Sequence, residues 1–362
     1  MYVWRWVGKF GRFEKREAHK AISGEKMKFS EFSDIALPKI ENKMKEILAL
    51  TKIDQDTSLN KMLSYHLGLG EEEPNHTSQG KRIRPLILLL TTETAGGKWE
   101  NALAAAAAIE LLHNFSLIHD DIEDQSEYRR GRLTLWKKYN LPLSLNAGDA
   151  LYALSFVCLS DLQRTFPDNI SFQAYQLLSL ACLSITKGQH KDIAFEKAPL
   201  VSTDEYLEMI EGKTAALLAT STQLGALLAE SDKIKQDNYY YFGKNLGLAF
   251  QIYDDILGIW GNPKETGKSV ATDLNNRKKS LPILYGLAQN QTFKNMWEKE
   301  ITADSIQALS SQLKAEGAYE YSLRLAEFYT SAAVKSFHQT EPTGPMVEAI
   351  EELIENLTNR KS

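Results

Sequence analysis

Asp120, Asp121 and Asp124 close an otherwise apolar segment, Ala102–Leu133, which reads ALAAAAAIELLHNFSLIHDDIEDQSEYRRGRL. On a helix His113, Ser116, Asp120 and Asp124 fall at i, i+3, i+7 and i+11, which stacks them along one face. A polar stripe on an apolar helix must meet water, a cavity or partners, because unpaired buried carboxylates are costly. Acids crowded at a helix C-terminus also oppose the macrodipole unless a cation arrives. Magnesium suits that place: it is a hard ion that takes oxygen ligands and shares them with substrate phosphates. The plainer alternative is a solvated charged helix end, offset by Arg129, Arg130 and Arg132.

A second acidic pair stands in Leu246–Gly258, LGLAFQIYDDILG. Gln251, Asp254, Asp255 and Gly258 share one helical face there, and Leu246, Phe250, Tyr253 and Leu257 form the apolar side. Two acidic sites in apolar helices suit carboxylates facing one another across a cavity in a bundle. Basic residues flank them. Lys81 and Arg84 in GKRIRP open an apolar run and are placed to grip an anion beside free backbone N–H groups. Lys213 and Thr214 follow Gly212, and Lys268 follows Gly267 beyond the second acidic pair. None of these segments has the GxxxxGK[ST] spacing of a P-loop, and HExxH, CxxC and GxSxG are absent.

Helices must position these residues. Apolar residues recur at three- and four-residue spacing through 34–50, 85–95, 101–124, 141–163, 170–189, 204–229, 236–260, 280–290, 304–335 and 345–357, without clear strand alternation. The expected fold is all-α, a single large bundle of ten or more helices over residues 27–362 around a central cavity. The chain has 362 residues, 43% hydrophobic and 25% charged, with net charge −5. That composition supports a substantial core and gives no sign of nucleic-acid binding. Any polyanionic substrate must therefore be held by a few placed Lys and Arg residues. Cys158 and Cys182 lie in apolar helical stretches, which fits a reducing cytoplasm better than a disulfide framework. No uninterrupted apolar run reaches about 18 residues, so no transmembrane segment is expected. Residues 1–26 mix aromatic and basic residues without a secretory core, and we read them as a poorly ordered extension.

Taken together, GKRIRP, LIHDDIEDQSEYRRGR, GKT, FQIYDD and GKSVATDLNNRKKSLP resemble the trans-isoprenyl diphosphate synthase (polyprenyl synthetase) family in order and spacing. The resemblance implies an all-α homodimer with the cavity between two facing Asp-rich helices. It further implies head-to-tail condensation of isopentenyl diphosphate with an allylic diphosphate. Asp120, Asp121 and Asp124 would hold magnesium on the allylic diphosphate, with Asp254 as ligand from the opposite wall and Asp255 supporting it. Three magnesium ions per site are expected, with manganese as a substitute. Arg129, Lys213, Thr214, Gln251 and Lys268 resemble allylic-site contacts, and Lys81, Arg84, His113 and Arg130 resemble the isopentenyl diphosphate site. Gln189 and Asp192, in GQHKD, would act from behind. The allylic C–O bond would ionise, the isopentenyl double bond would attack the cation, and a proton would leave to diphosphate. No protein nucleophile is needed.

One departure stands out: the family's second motif is usually DDxxD, and here the fifth position is Gly258. Phe115 lies five residues before Asp120, about 7.5 Å up the helix axis. A bulky aromatic there resembles a floor to the product cavity, with Ser116 leaving more room beside it. Geranylgeranyl diphosphate (C20) is the expected product, with farnesyl diphosphate (C15) next. The rival readings are a class I terpene cyclase, which would not need Lys81, Arg84 and His113, and a non-catalytic subunit of a heteromeric synthase.

Overall fold

The computed structural model describes residues 26–52, 57–70, 80–261, 271–289 and 291–358. Fourteen helices carry the fold among them: α1 (Phe29–Leu48), α2 (Ser58–Leu67), α3 (Ile83–Thr94), α4 (Leu103–Glu123), α5 (Leu141–Ser160), α6 (Asp168–Lys197), α7 (Thr203–Ile210), α8 (Ala216–Leu228), α9 (Lys233–Trp260), α10 (Leu281–Gln289), α11 (Gln291–Trp297), α12 (Ala303–Ala315), α13 (Ala318–His338) and α14 (Val347–Thr358). The N-terminal extension falls outside the described residues except for Lys26. Met27 is buried, and its N–H donates to Pro345 O at 2.9 Å.

Local chemistry sets the helix starts. Asn140 accepts from Leu143 N at 2.9 Å ahead of α5, and Asp232 accepts from Lys235 N at 2.8 Å ahead of α9. Each satisfies an N–H that the helix itself leaves open. Ser202 and Glu205 form a reciprocal capping box at α7. Helix α3 is apolar all round, with Leu86 to Leu90 no more than 1% exposed, and lies in the middle of the bundle. Fully burying each such side chain contributes about 1.5–3 kcal/mol. The small Ala104–Ala108 run lets α4 pack closely with α1, α3 and α5, while α9 lies along α8 and α13.

Three expectations change. The 304–335 segment is two helices, parted at Gly317, whose φ of 84° ends α12. The 204–229 segment contains a π-helical turn, Glu211–Ala215, between α7 and α8. A two-stranded hairpin, β1 (Tyr128–Arg129) and β2 (Arg132–Leu133), follows α4; Arg130 and Gly131 both take positive φ, 52° and 75°, as a two-residue hairpin turn requires. Among the described residues two segments, Trp99–Glu123 and Leu141–Arg164, are by length and composition long and apolar enough to span a membrane, which the run-length argument did not detect. The first ends in the acidic cluster.

Candidate functional site

The last turn of α4 leaves the core and presents its acids. Asp121 is buried, Asp120 half-buried and Asp124 exposed. The hairpin folds Arg129 back onto them: Nε donates to Asp121 Oδ1 at 2.8 Å and Nη2 to Asp120 Oδ2 at 3.2 Å. Burial lifts the Asp121 carboxyl to about 6 against the pull of Arg129, and partial burial plus Asp120 lift Asp124 to about 6. These are carboxylates short of positive charge.

The π-helical turn brings Lys213 across the cavity. Its ammonium donates to Asp120 Oδ1 at 3.1 Å and to Asp192 Oδ2, on α6, at 2.5 Å. Burial opposes that charge, but Asp120 and Asp192 outweigh it and raise the lysine's pKa. One residue further on, Thr214 donates to Gln251 Oε1 at 2.8 Å, and Gln251 Nε2 donates to Asp255 Oδ1 at 2.9 Å. Asp255 Oδ2 accepts from Tyr206 Oη at 2.6 Å and from Leu281 N at 3.0 Å. Both oxygens of Asp255 are thus engaged inside the protein. It braces α9 behind half-buried Asp254. Lys278 is open to the cavity, and Asp255, Asp273, Asp192 and Asp254 together overcome its desolvation and hold it protonated.

The basic residues form a separate cavity of about 160 Å³, lined by Lys81, Arg84, Glu110, His113, Arg130 and Phe250 among others. Lys81 and Arg84 face it from the start of α3. Arg82 between them turns into the core, where it donates to Leu67 O at 2.9 Å. Gly80 admits the hairpin here, because a Cβ on it would lie 2.4 Å from Arg130 Cζ. Arg84 Nη1 lies 3.2 Å from His113 Nε2. A guanidinium can only donate, so His113 accepts there and is neutral. Burial, then Arg84 and Arg130, push its pKa well below the usual range. Arg84 Nε is buried with no hydrogen-bond partner, an open donor inside a cationic cavity.

The structure therefore joins Asp120, Asp121, Arg129, Lys213 and Asp192 in one hydrogen-bonded cluster and Thr214, Gln251 and Asp255 in another, couples Asp124 and Asp254 to them electrostatically, and sets Lys81, Arg84, His113 and Arg130 around a cavity. Lys268 lies outside the described residues. Gln189 donates to Glu123 Oε2 at 2.8 Å, whereas Asp192 stands in the site itself. Phe115 is half-buried, edge-on to His119 with centroids 4.9 Å apart and tilted against Tyr152 at 5.3 Å. Ser116 returns its hydroxyl to His113 O at 2.8 Å. Sequence reasoning missed Lys278, Asp273 and Glu110. The run Arg277-Lys278-Lys279 advertised a cation without showing which residue faces the acids.

The donor set fits magnesium: it is all oxygen, and burial and neighbouring acids raise two of its carboxyls, an effect that a bound cation would oppose. Among the described residues no three His, Cys, Asp or Glu side chains enclose an ion unaided. Phosphate oxygens and water would have to complete the shell, as they do for this ion elsewhere.

Comparison with known proteins agrees with this geometry. The family model "Polyprenyl synthetase" matches residues 72–314. A (2E,6E)-farnesyl diphosphate synthase of Mycobacterium tuberculosis is 41% identical over 235 residues, 64% of each chain, so the chain spans just under two thirds of that relative's length. A geranylgeranyl diphosphate synthase of Sulfolobus acidocaldarius is 38% identical over 76% of this chain and 83% of its own. The crystal structure of a geranylgeranyl pyrophosphate synthetase from Pyrococcus horikoshii superposes with a TM-score of 0.81 at 29% identity, covering 92% of this chain and 98% of that one. With two thirds of its length matched by the family model, and both acidic motifs and the basic cavity inside that match, this chain belongs to the polyprenyl synthetase family.

Proposed function

We propose that the protein is a magnesium-dependent isoprenyl diphosphate synthase that condenses isopentenyl diphosphate with an allylic diphosphate, head to tail, to a linear all-trans product. The observation that carries this reading is the pairing of an acidic cluster at the end of α4 with a separate cationic cavity lined by Lys81, Arg84, His113 and Arg130. The first suits a metal-bound diphosphate, and the second, with its open Arg84 Nε, suits a diphosphate bound by cations alone. A class I cyclase has use for only the first.

In this mechanism Asp120, Asp124 and Asp254 hold magnesium, with Asp121 and Asp255 fixing the helix ends that present them. When bound, the ions supply positive charge to the departing diphosphate. Arg129 and Lys213, which neutralise Asp120 in the structure, would be the cationic donors to the allylic phosphate oxygens. Lys278 adds charge beside Asp254, and Lys268 is a further allylic-diphosphate contact in the same proposal. Lys81, Arg84, His113 and Arg130 orient isopentenyl diphosphate so that its double bond faces the allylic cation. Preorganised charge and positioning supply the acceleration.

The product of this reading is geranylgeranyl diphosphate, supported by Phe115 five residues before Asp120 and by the geranylgeranyl diphosphate synthase of S. acidocaldarius among the relatives. The enzyme is a cytoplasmic homodimer in the same proposal. Exposed apolar side chains along α5 and α6, among them Tyr152, Val157, Phe172, Leu180 and Leu183, support a docked second copy. The free thiols Cys158 and Cys182 fit a reducing compartment. Incubating purified protein with radiolabelled isopentenyl diphosphate, magnesium and each allylic primer tests the reading. A C20 product is expected. A C15 product would keep the reaction and overturn the chain length, and no elongation with any primer would overturn the reaction.

A further inference from the structure

The space at the interrupted position of the second motif is filled from elsewhere in the chain. Gly258 stands four residues after Asp254 on α9, one turn along the same face, where a carboxylate is missing from the sequence. It is buried, and the atoms burying it are informative. A Cβ built on Gly258 would lie 2.6 Å from Asp273 Oδ2, 2.7 Å from its Cγ and 2.8 Å from its Oδ1. The volume that a side chain at 258 would occupy already holds the Asp273 carboxyl group. That carboxyl belongs to the acidic wall: Asp273 acts with Asp255, Asp192 and Asp254 on Lys278, and with Asp255 and Asp192 on the buried Tyr206.

We propose that Asp273, carried on the short helical turn Thr272–Asn275, supplies the carboxylate that position 258 lacks and acts with Asp254 in holding the metal on the α9 wall. The inference deepens the metal-assisted prenyl-transfer reading and rests on it. It also gives Gly258 a reason to be glycine. Any side chain there would expel the Asp273 carboxyl, and a second carboxylate within 3 Å would set two like charges against each other. Asp273 is a positioning residue in this scheme, acting on the ion through a water bound to it.

Mn2+ binding to the purified full chain with inorganic pyrophosphate, followed by electron paramagnetic resonance, tests this without reference to turnover. Four proteins are compared: wild type, Asp273→Asn, Gly258→Asp and the exchange variant Gly258→Asp/Asp273→Ala, each with its thermal midpoint. The expected result is Mn2+ bound about 10- to 100-fold more weakly by Asp273→Asn, the usual scale for losing a group that orients a metal. Gly258→Asp should lower both the midpoint and the affinity, and the exchange variant should regain most of the affinity. If Asp273→Asn lowers the midpoint but binds Mn2+ like wild type, Asp273 is only a structural partner of Lys278 and the proposal fails. It fails equally if the exchange variant folds and regains nothing. Wild type that binds no Mn2+ with pyrophosphate would instead overturn the metal-assisted reading on which the proposal rests.

Discussion

Lys213 holds two carboxylates at once, Asp120 from α4 and Asp192 from α6. Replacing it by alanine leaves Asp192 without this partner and Asp120 with Arg129 alone, and removes a cation from the allylic diphosphate. Lys213→Ala should raise KM for the allylic substrate and lower kcat about 100-fold, on the scale of losing one preorganised charge-stabilising donor; steady-state kinetics checks both. Arg84 makes a narrower prediction. Lysine keeps the charge but not the Nε donor or the fork, so Arg84→Lys should raise KM for isopentenyl diphosphate about tenfold and leave the allylic KM unchanged. Equal effects on both substrates would contradict the division into two cavities. Residue types and spacing pointed to Asp120, Asp124 and His113, which share one face of α4, and to Lys81 and Arg84 at the start of α3. They could not show that Tyr206 and Leu281 N, brought up by the tertiary fold, engage Asp255 behind Asp254. Lys278 and Asp273 escaped for the same reason.

Three elements aim these residues. The π-helical turn at Glu211–Ala215 resets the helical phase so that Lys213 and Thr214 both meet the cavity, one reaching Asp120 and the other Gln251. Such turns are common at functional sites, but nothing in the apolar periodicity of 204–229 marks one. The hairpin was equally hidden, because two-residue strands are too short to alternate. Helix α4 was the most legible element, its alanine run and its acids both readable as a single face. It also carries the prediction on product length. Phe115 rests on His119 and Tyr152, so Phe115→Ala should open the space beneath the allylic chain and shift products beyond C20. An unchanged length distribution would remove Phe115 as the floor.

At the scale of the whole molecule, buried neutral imidazoles tie stability to pH. Burial, and then Arg129, Arg130 and Arg132, depress His66 to about 3, and its Nε2 is buried without a partner. An unfolded histidine protonates near about 6.5, so between about 6.5 and 3 the unfolded chain binds the extra proton. The stability from His66 is therefore complete above about 6.5 and is lost as pH falls toward 3. Urea midpoints should decline across that window, and His66→Gln should flatten the decline; equal slopes would contradict it. Metal acts the other way. Magnesium with pyrophosphate should raise the thermal midpoint of the folded protein, and chelation should return it to the metal-free value without unfolding it, because Arg129 and Lys213 already balance part of the acidic charge.

The apolar side chains left uncovered on α5 and α6 have a further consequence, one of mass action. Val157, Phe172, Leu180 and Leu183 are each at least 44% exposed on one chain. If a second copy covers them, the folded state is a product of association, and its stability depends on how much protein is present. Dilution then becomes a mild denaturant. The thermal midpoint of this chain should climb with protein concentration, whereas that of a monomer would stay level.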